Sequence, residues 1–328
     1  MLQMCNISTR FVILYDVGSG AKTPNLRFSC SPVQVSARGE LHWRLCFSSL
    51  YLERLRYSTS RANLLAQKGV QLAMRDFVDR RSIVRTIWGN PDLILLIFAG
   101  SAAEFALNRA VDWLFFTGKI PRDPIGRLFS TVRYAQEIVF ATEETARRTL
   151  NRINAIHGSV ERQRGQTIPD WAYRDVLYML VDYSERAYRL LYRPLSASQR
   201  HELYTVFRQI GDELRIPELP ATYAEWRRDR RRHLDRDLAY SRHSALLFRQ
   251  YRRHLGLWRY HLLLQVQALL VPDEVCRMLH LSPNKFLSPL VGMYGIVEQC
   301  NLQSVIHSLL IPPKYWAEVR KFDRMLAA

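Results

Sequence analysis

The stretch DLILLIFAGSAAEFALNRAVDWLFF (residues 92–116) decides the fold. It is the longest apolar run in the chain, but Glu104, Arg109 and Asp112 interrupt it. The uncharged part falls short of the roughly 20 residues that a bilayer span needs. A buried pair of core helices fits both its length and its charges.

Outward from this run, apolar residues recur at three- and four-residue spacing and proline is sparse within the long stretches, which predicts an all-α chain. With 328 residues, 48% of them hydrophobic, the chain can bury one large core or two smaller ones. Helices are expected near 75–87, 92–117, 124–141, 143–157, 170–193, 196–214, 222–255, 257–270, 272–280, 283–297, 301–310 and 313–326. Several open on a proline, whose fixed φ and missing donor suit a first turn. Residues 1–73 read differently, as a poorly ordered or atypical extension, and the helical domain is expected to run 74–328. The segment FVILYDVGSGAKT (11–23) does not meet the phosphate-loop pattern, because Ala21 separates Gly20 from Lys22 and the first glycine is missing.

The formal net charge is +17, from 47 Lys+Arg against 30 Asp+Glu. Such an excess raises nucleic acid or an anionic membrane as partners. The most basic run, EWRRDRRRHLDRD (225–237), has six arginines against four carboxylates. At helical spacing these can pair with one another, so a solvated, self-paired face is expected. It carries no aromatic besides Trp226, which argues against a base-stacking surface. The five cysteines (Cys5, Cys30, Cys46, Cys276, Cys300) are scattered and never form a CxxC pair. That suits a reducing compartment, hence a cytoplasmic location with peripheral membrane contact left open, and gives no metal-site spacing.

Two consecutive helices can hold chemistry. In DPIGRLFSTVRYAQEIVF (123–140), Asp123 is placed to cap and Pro124 to open the helix. Leu128, Val132, Ala135 and Val139 form one apolar stripe, and Arg127, Ser130, Thr131 and Tyr134 fall beside it. This is either an ordinary solvated polar face or a strip looking into a pocket, where Arg127 binds an anion or polarises a ligand. In TEETARRTLNRINAIHG (142–158), Ala146, Leu150, Ile153 and His157 again follow 4-3-4 spacing, and Gly158 comes next. His157 is therefore either a helix-end cap favoured by the dipole or an inward, neutral imidazole free to ligate iron.

Beyond single helices, three stretches taken together resemble one family. They are IWGNPDLILLIFAGSAAEFALNRAVDWLFFTGKIPRDPIGRLFST (87–131), ARRTLNRINAIHGSV (146–160) and the segment from DVLYMLVDYSERAYRLLYRPLSASQ to ELPATYAEW (175–226). The family is the oxygenases that include latex-clearing protein (rubber oxygenase) and the fungal MpaB oxygenase. The shared order is a small-residue apolar helix pair, Asp-Pro-x-x-Arg-x-x-x-Thr, His-x-x-Val, an Asp-bearing helix, Pro-Leu-Ser and Leu-Pro-x-Thr-Tyr. It covers about residues 75–260 through many weak positions.

The resemblance implies an all-α fold with a globin-like helical core and additional helices around a pocket for haem b. It implies an oxygenase acting with dioxygen on a hydrophobic small molecule. By it, His157 is the iron ligand, and Arg127 and Thr131 lie on the oxygen side. Ser130 stands where latex-clearing protein has a lysine able to close the iron's sixth position, so cleavage of polyisoprene is not implied. The family's active-site carboxylate is not placed; Glu104 and Asp112 are upstream candidates. The reading from a different class is a non-catalytic basic helical protein that binds nucleic acid or a membrane surface.

Other constellations give less. There is no His-Glu-x-x-His; His254 and His261 are expected at a surface or interface, and His233 with Asp237 in ion pairs. No Gly-x-Ser-x-Gly elbow supports a serine hydrolase. Asp175, Asp182 and Glu185 are expected to pair with arginines, and the aromatics of 170–192 to pack the core.

Overall fold

The computed structural model describes residues 75–116, 122–282 and 311–316. All lie within Ser58–Ala328, the larger of the chain's two contact units. The extension expected at 1–73 and the helices expected at 283–297 and 301–310 lie outside the described residues, as does most of 313–326.

Among the described residues the regular structure is helical, without a named strand. The order is α1 (Ile83–Trp88), α2 (Pro91–Leu107), α3 (Asp112–Phe116), α4 (Pro124–Val139), α5 (Glu143–Arg164) and α6 (Asp170–Leu191). Then come α7 (Ala197–Glu213), α8 (Tyr223–Arg236), α9 (Arg242–Leu255), α10 (Leu257–Leu270), α11 (Asp273–Met278) and a 3₁₀ turn at Pro313–Tyr315. Most starts are marked by the expected chemistry. Asn90 accepts from the backbone N–H of Asp92 and Leu93 ahead of Pro91. Ser196, Thr222 and Ser241 each close a reciprocal capping box with the residue three positions on.

Helix α2 is apolar on nearly every side, so it can be stable only when surrounded. It packs most extensively against α6, and α1, α9, α10 and α11 cover the remainder. Gly100 makes the α2–α6 approach close: a β-carbon there would overlap the Tyr183 ring. Trp88, fully buried, packs on Phe98 and Phe207, and its indole N–H donates to Ser184 Oγ at 3.2 Å.

Two helices that the sequence predicts as continuous, 92–117 and 222–255, are each broken, and the breaks meet. Asn108 leaves helical geometry (ψ 133°) and forms an isolated antiparallel bridge with Leu238. Arg109 N–H donates to Asp237 O at 2.9 Å, and Ala239 N–H to Leu107 O at 2.7 Å. Each interruption thus supplies partners for the backbone groups that the other exposes. Helix α5 differs in the opposite direction. It continues past the expected end at 157 to Arg164, where Gly165 takes the left-handed conformation (φ 69°). Gly158 lies inside the helix, so His157 is not a helix-end cap.

Candidate functional site

Helix α4 begins as its sequence dictates. Asp123 Oδ1 accepts from Gly126 N–H at 3.0 Å, and Tyr315 OH donates to the same carboxylate. Burial would raise the Asp123 pKa, but these hydrogen bonds, with His254 and Lys314 nearby, hold it below the usual carboxylate value. The first turns then carry Arg127, Ser130 and Thr131, all half-buried. Ser130 Oγ–H donates to Arg127 O at 2.8 Å, and Thr131 Oγ1–H to the same oxygen at 3.2 Å. Both hydroxyl protons are committed to their own helix, so outward they offer lone pairs. Arg127 is therefore the donor of the three. Among the described residues no carboxylate pairs with its guanidinium.

Helices α4 and α5 pack as an antiparallel pair, which puts His157 across from Arg127. The ring of His157 lies 5.2 Å from that of Tyr173 on α6. Burial, and next the positive charge of Arg127, push the His157 pKa below its ordinary value; Glu161 opposes them. The imidazole is accordingly neutral at pH 7. Glu161, one turn on, is engaged elsewhere: it accepts from Ile168 N–H at 2.9 Å and Tyr173 OH at 3.3 Å. An inward, neutral imidazole thus sits mid-helix, near an arginine that has no carboxylate partner among the described residues. Only the helix-end reading of His157 fails.

The two carboxylates left open by sequence are both occupied. Asp112 pairs with Arg164 at 2.6 Å, whose guanidinium lies 3.9 Å over the Trp113 ring. Glu104, 0% exposed, receives both terminal nitrogens of Arg230 at 2.6 Å and Tyr183 OH at 2.9 Å. Arg230 also binds Asp182 at 3.1 Å, and Arg186 holds the other Asp182 oxygen at 3.0 Å. Burial alone would raise Asp182, yet Arg230 and Arg186 keep it below the usual range. This corrects the reading of 225–237 as a wholly solvated face. Arg232 pairs with Asp229 at the surface, but Arg230 points into the interior. The sequence carried a signal for it, a glutamate inside the most apolar helix, since a buried charge needs a partner.

A second polar group was read from sequence only as ion pairing. His233, 2% exposed, places Nδ1 3.1 Å from Asp175 Oδ1 and 2.7 Å from Asp237 Oδ2. Asn108 Nδ2 donates to the other oxygen of Asp175. Asn108, at the break after α2, bonds Asp175, and Asp237, at the break after α8, lies beside His233; no local pattern announces this long-range meeting. His254, expected at a surface or interface, lies beside Asp123, Lys314 and Tyr315. Glu185 accepts from Tyr223 OH at 2.6 Å and lies 4.0 Å from Arg200. Among the described residues, one polar cleft of about 480 Å³ is lined by Arg200, Tyr223, Arg227, Arg228 and Arg231.

No helix among the described residues is long and apolar enough to cross a membrane. The sequence profile described as "ER-bound oxygenase mpaB/B'/Rubber oxygenase, catalytic domain" matches residues 92–289, more than half of the chain. The chain belongs to this oxygenase family. No curated protein and no solved structure matches it.

Proposed function

We propose that this protein is a haem b-dependent oxygenase that acts with dioxygen on a hydrophobic small molecule. The observation that carries this reading is the pair on α4 and α5, a neutral His157 with Arg127 acting on it and no carboxylate on Arg127 among the described residues, in a chain of an oxygenase family.

The donor set fits the group. A b-type haem asks for one neutral nitrogen ligand and, opposite it, polar groups that leave the iron accessible. His157 would hold the iron. Tyr173 packs on the ring and, through its hydroxyl, keeps Glu161 occupied. The carboxylate therefore does not compete for the imidazole. Haem supplies the iron at which dioxygen is activated.

Arg127 would supply fixed positive charge and N–H donors to an anionic group held in the site. Ser130 and Thr131, their protons turned back on the helix, present acceptor oxygens beside it. Ser130 has no amine to offer as a ligand, so the iron, if bound, would be held by His157 alone of these residues. Ile153, one turn before His157, packs against the core and keeps one wall of the site apolar.

The test is an absorption spectrum of the purified full-length chain, followed by the same spectrum of His157→Ala. The reading expects an intense Soret band, a b-type pyridine haemochrome and ready binding of imidazole or cyanide, with stoichiometric haem lost in the variant. A colourless protein whose nucleic-acid or vesicle affinity collapses with salt would replace it with the basic binding protein. Normal haem in His157→Ala would remove the ligand assignment.

A further inference from the structure

Away from that site, we infer that Asp175, His233 and Asp237 bind one divalent first-row transition-metal ion. The three side chains converge from α6 and from the two ends of the last turn of α8, and all three are buried. Their candidate ligand atoms lie within 4.8 Å of one another.

The geometry at Nδ1 points to chelation. A hydrogen-bonded carboxylate oxygen lies close to the N–H axis. Two ligands held about 2.1 Å from one ion and about 90° apart sit about 3.0 Å from each other, each about 45° off the other's lone-pair axis. Around His233 the contacts are 3.1 Å and 2.7 Å. Neither is a hydrogen bond: Nδ1 has no hydrogen-bond partner, and neither does Asp175 Oδ1. Two fully buried polar atoms left unmatched at chelating distance are what an ion between them would satisfy.

The surroundings orient these ligands. Asn108 holds the second oxygen of Asp175, and Arg236 grips Asp237 through Nε and Nη2 at 2.7 and 2.9 Å. The other ring nitrogen of His233 faces Asp229 at 3.7 Å, and Asp229 accepts from Tyr178 OH at 2.7 Å. Metal-bound imidazoles commonly carry a carboxylate on the opposite nitrogen. One imidazole with two carboxylates suits zinc, manganese or ferrous iron better than all-oxygen calcium or soft copper(I). Two negative ligands also neutralise a divalent ion where no water reaches. Asp175 and Tyr173, two residues apart on α6, point to nearly opposite sides of that helix, so this site and His157 are distinct. The ion would clamp α6 to the junction of the two broken helices.

The full-length chain, stripped with chelator and equilibrated with Zn²⁺, Mn²⁺ or Fe²⁺ under reducing conditions, tests this by elemental analysis after desalting and by thermal melting. The expected result is about one non-haem ion per chain and a Tm that rises with free metal. Asp175→Asn and Asp237→Asn, which keep shape while removing charge, should each weaken metal binding roughly tenfold or more. His157→Ala should keep the ion while losing haem, so the two readings fail separately. The proposal is overturned if no ion is retained and Tm stays fixed at every metal tried. It is equally overturned if both Asn variants bind metal like the parent chain.

Discussion

Arg230 and Arg127 carry the same guanidinium in opposite circumstances. Arg230 is enclosed by Glu104 and Asp182, with Nε, Nη1 and Nη2 all donating to carboxylates, in the centre of the α2–α6–α8 packing. Arg127, on α4, is half-buried and acts on a neutral histidine of α5, with no carboxylate partner among the described residues. A saturated buried network fixes the arrangement of the helices around it. An unsaturated, partly open pair retains interaction capacity for something that is not part of the chain. Buried charge alone therefore does not mark a reactive site here.

The comparison is broken most forcefully at the saturated end. Arg230→Met leaves Glu104 buried without its cation and Asp182 with Arg186 alone, and removing one member of such a cluster costs about 3–5 kcal/mol. Chemical denaturation should show a loss of that size. Replacing Glu104 and Asp182 with apolar residues as well should recover much of it. If Arg230→Met alone melts like the parent chain, the network is not what holds α8 to α2.

Next in size is the seam between α2 and α6. Gly100→Ala puts a methyl into the Tyr183 ring, and overpacking of that kind costs roughly 1–3 kcal/mol. Because Tyr183 also donates to Glu104, the shift should loosen the charged cluster too. The double variant with Arg230→Met should therefore lose less than the sum of the two single losses. Strict additivity would mean that the seam and the cluster are independent.

At the open end the same measurement should barely move. His157→Ala removes a half-buried ring that makes no ion pair, so haem-free stability should change by less than about 1 kcal/mol. A loss comparable to that of Arg230→Met would show His157 to be a structural residue.

Much of this contrast could be read before the structure, and the unread part has physical causes. The all-α fold follows from spacing, and the α4 and α5 starts follow from Asp123, Pro124 and Thr142. The inward placing of His157 follows from the 4-3-4 stripe of its helix, whereas its pairing with Arg127 was implied only by the family resemblance. What escaped was long-range. The partner of Glu104 lies 126 residues away, and the breaks at Asn108 and Leu238 exist because each completes the other's backbone hydrogen bonding. Ser241 with Ser244 was a legible start signal, but an uninterrupted charged pattern on either side obscured it. The end of α5 was misplaced for a local reason. Two glycines, Gly158 and Gly165, compete as stops, and only the second takes positive φ.

The smallest effect concerns protons, and it separates the causes acting on His157. In the haem-free chain its folded pKa lies below the value of 6.5 for an unperturbed histidine, through burial first and Arg127 second. The unfolded chain therefore takes up this proton before the folded one as pH falls. The stability contribution is complete above about 6.5 and declines as pH drops toward the folded pKa, then levels off. An NMR titration of the His157 ring reads that pKa directly. Arg127→Ala should move it upward part of the way, since burial remains, and Glu161→Gln should move it downward. If Arg127→Ala leaves the titration unchanged, the guanidinium does not face the imidazole. The open end of the comparison would then lose its defining pair, whatever the spectrum of the purified protein shows.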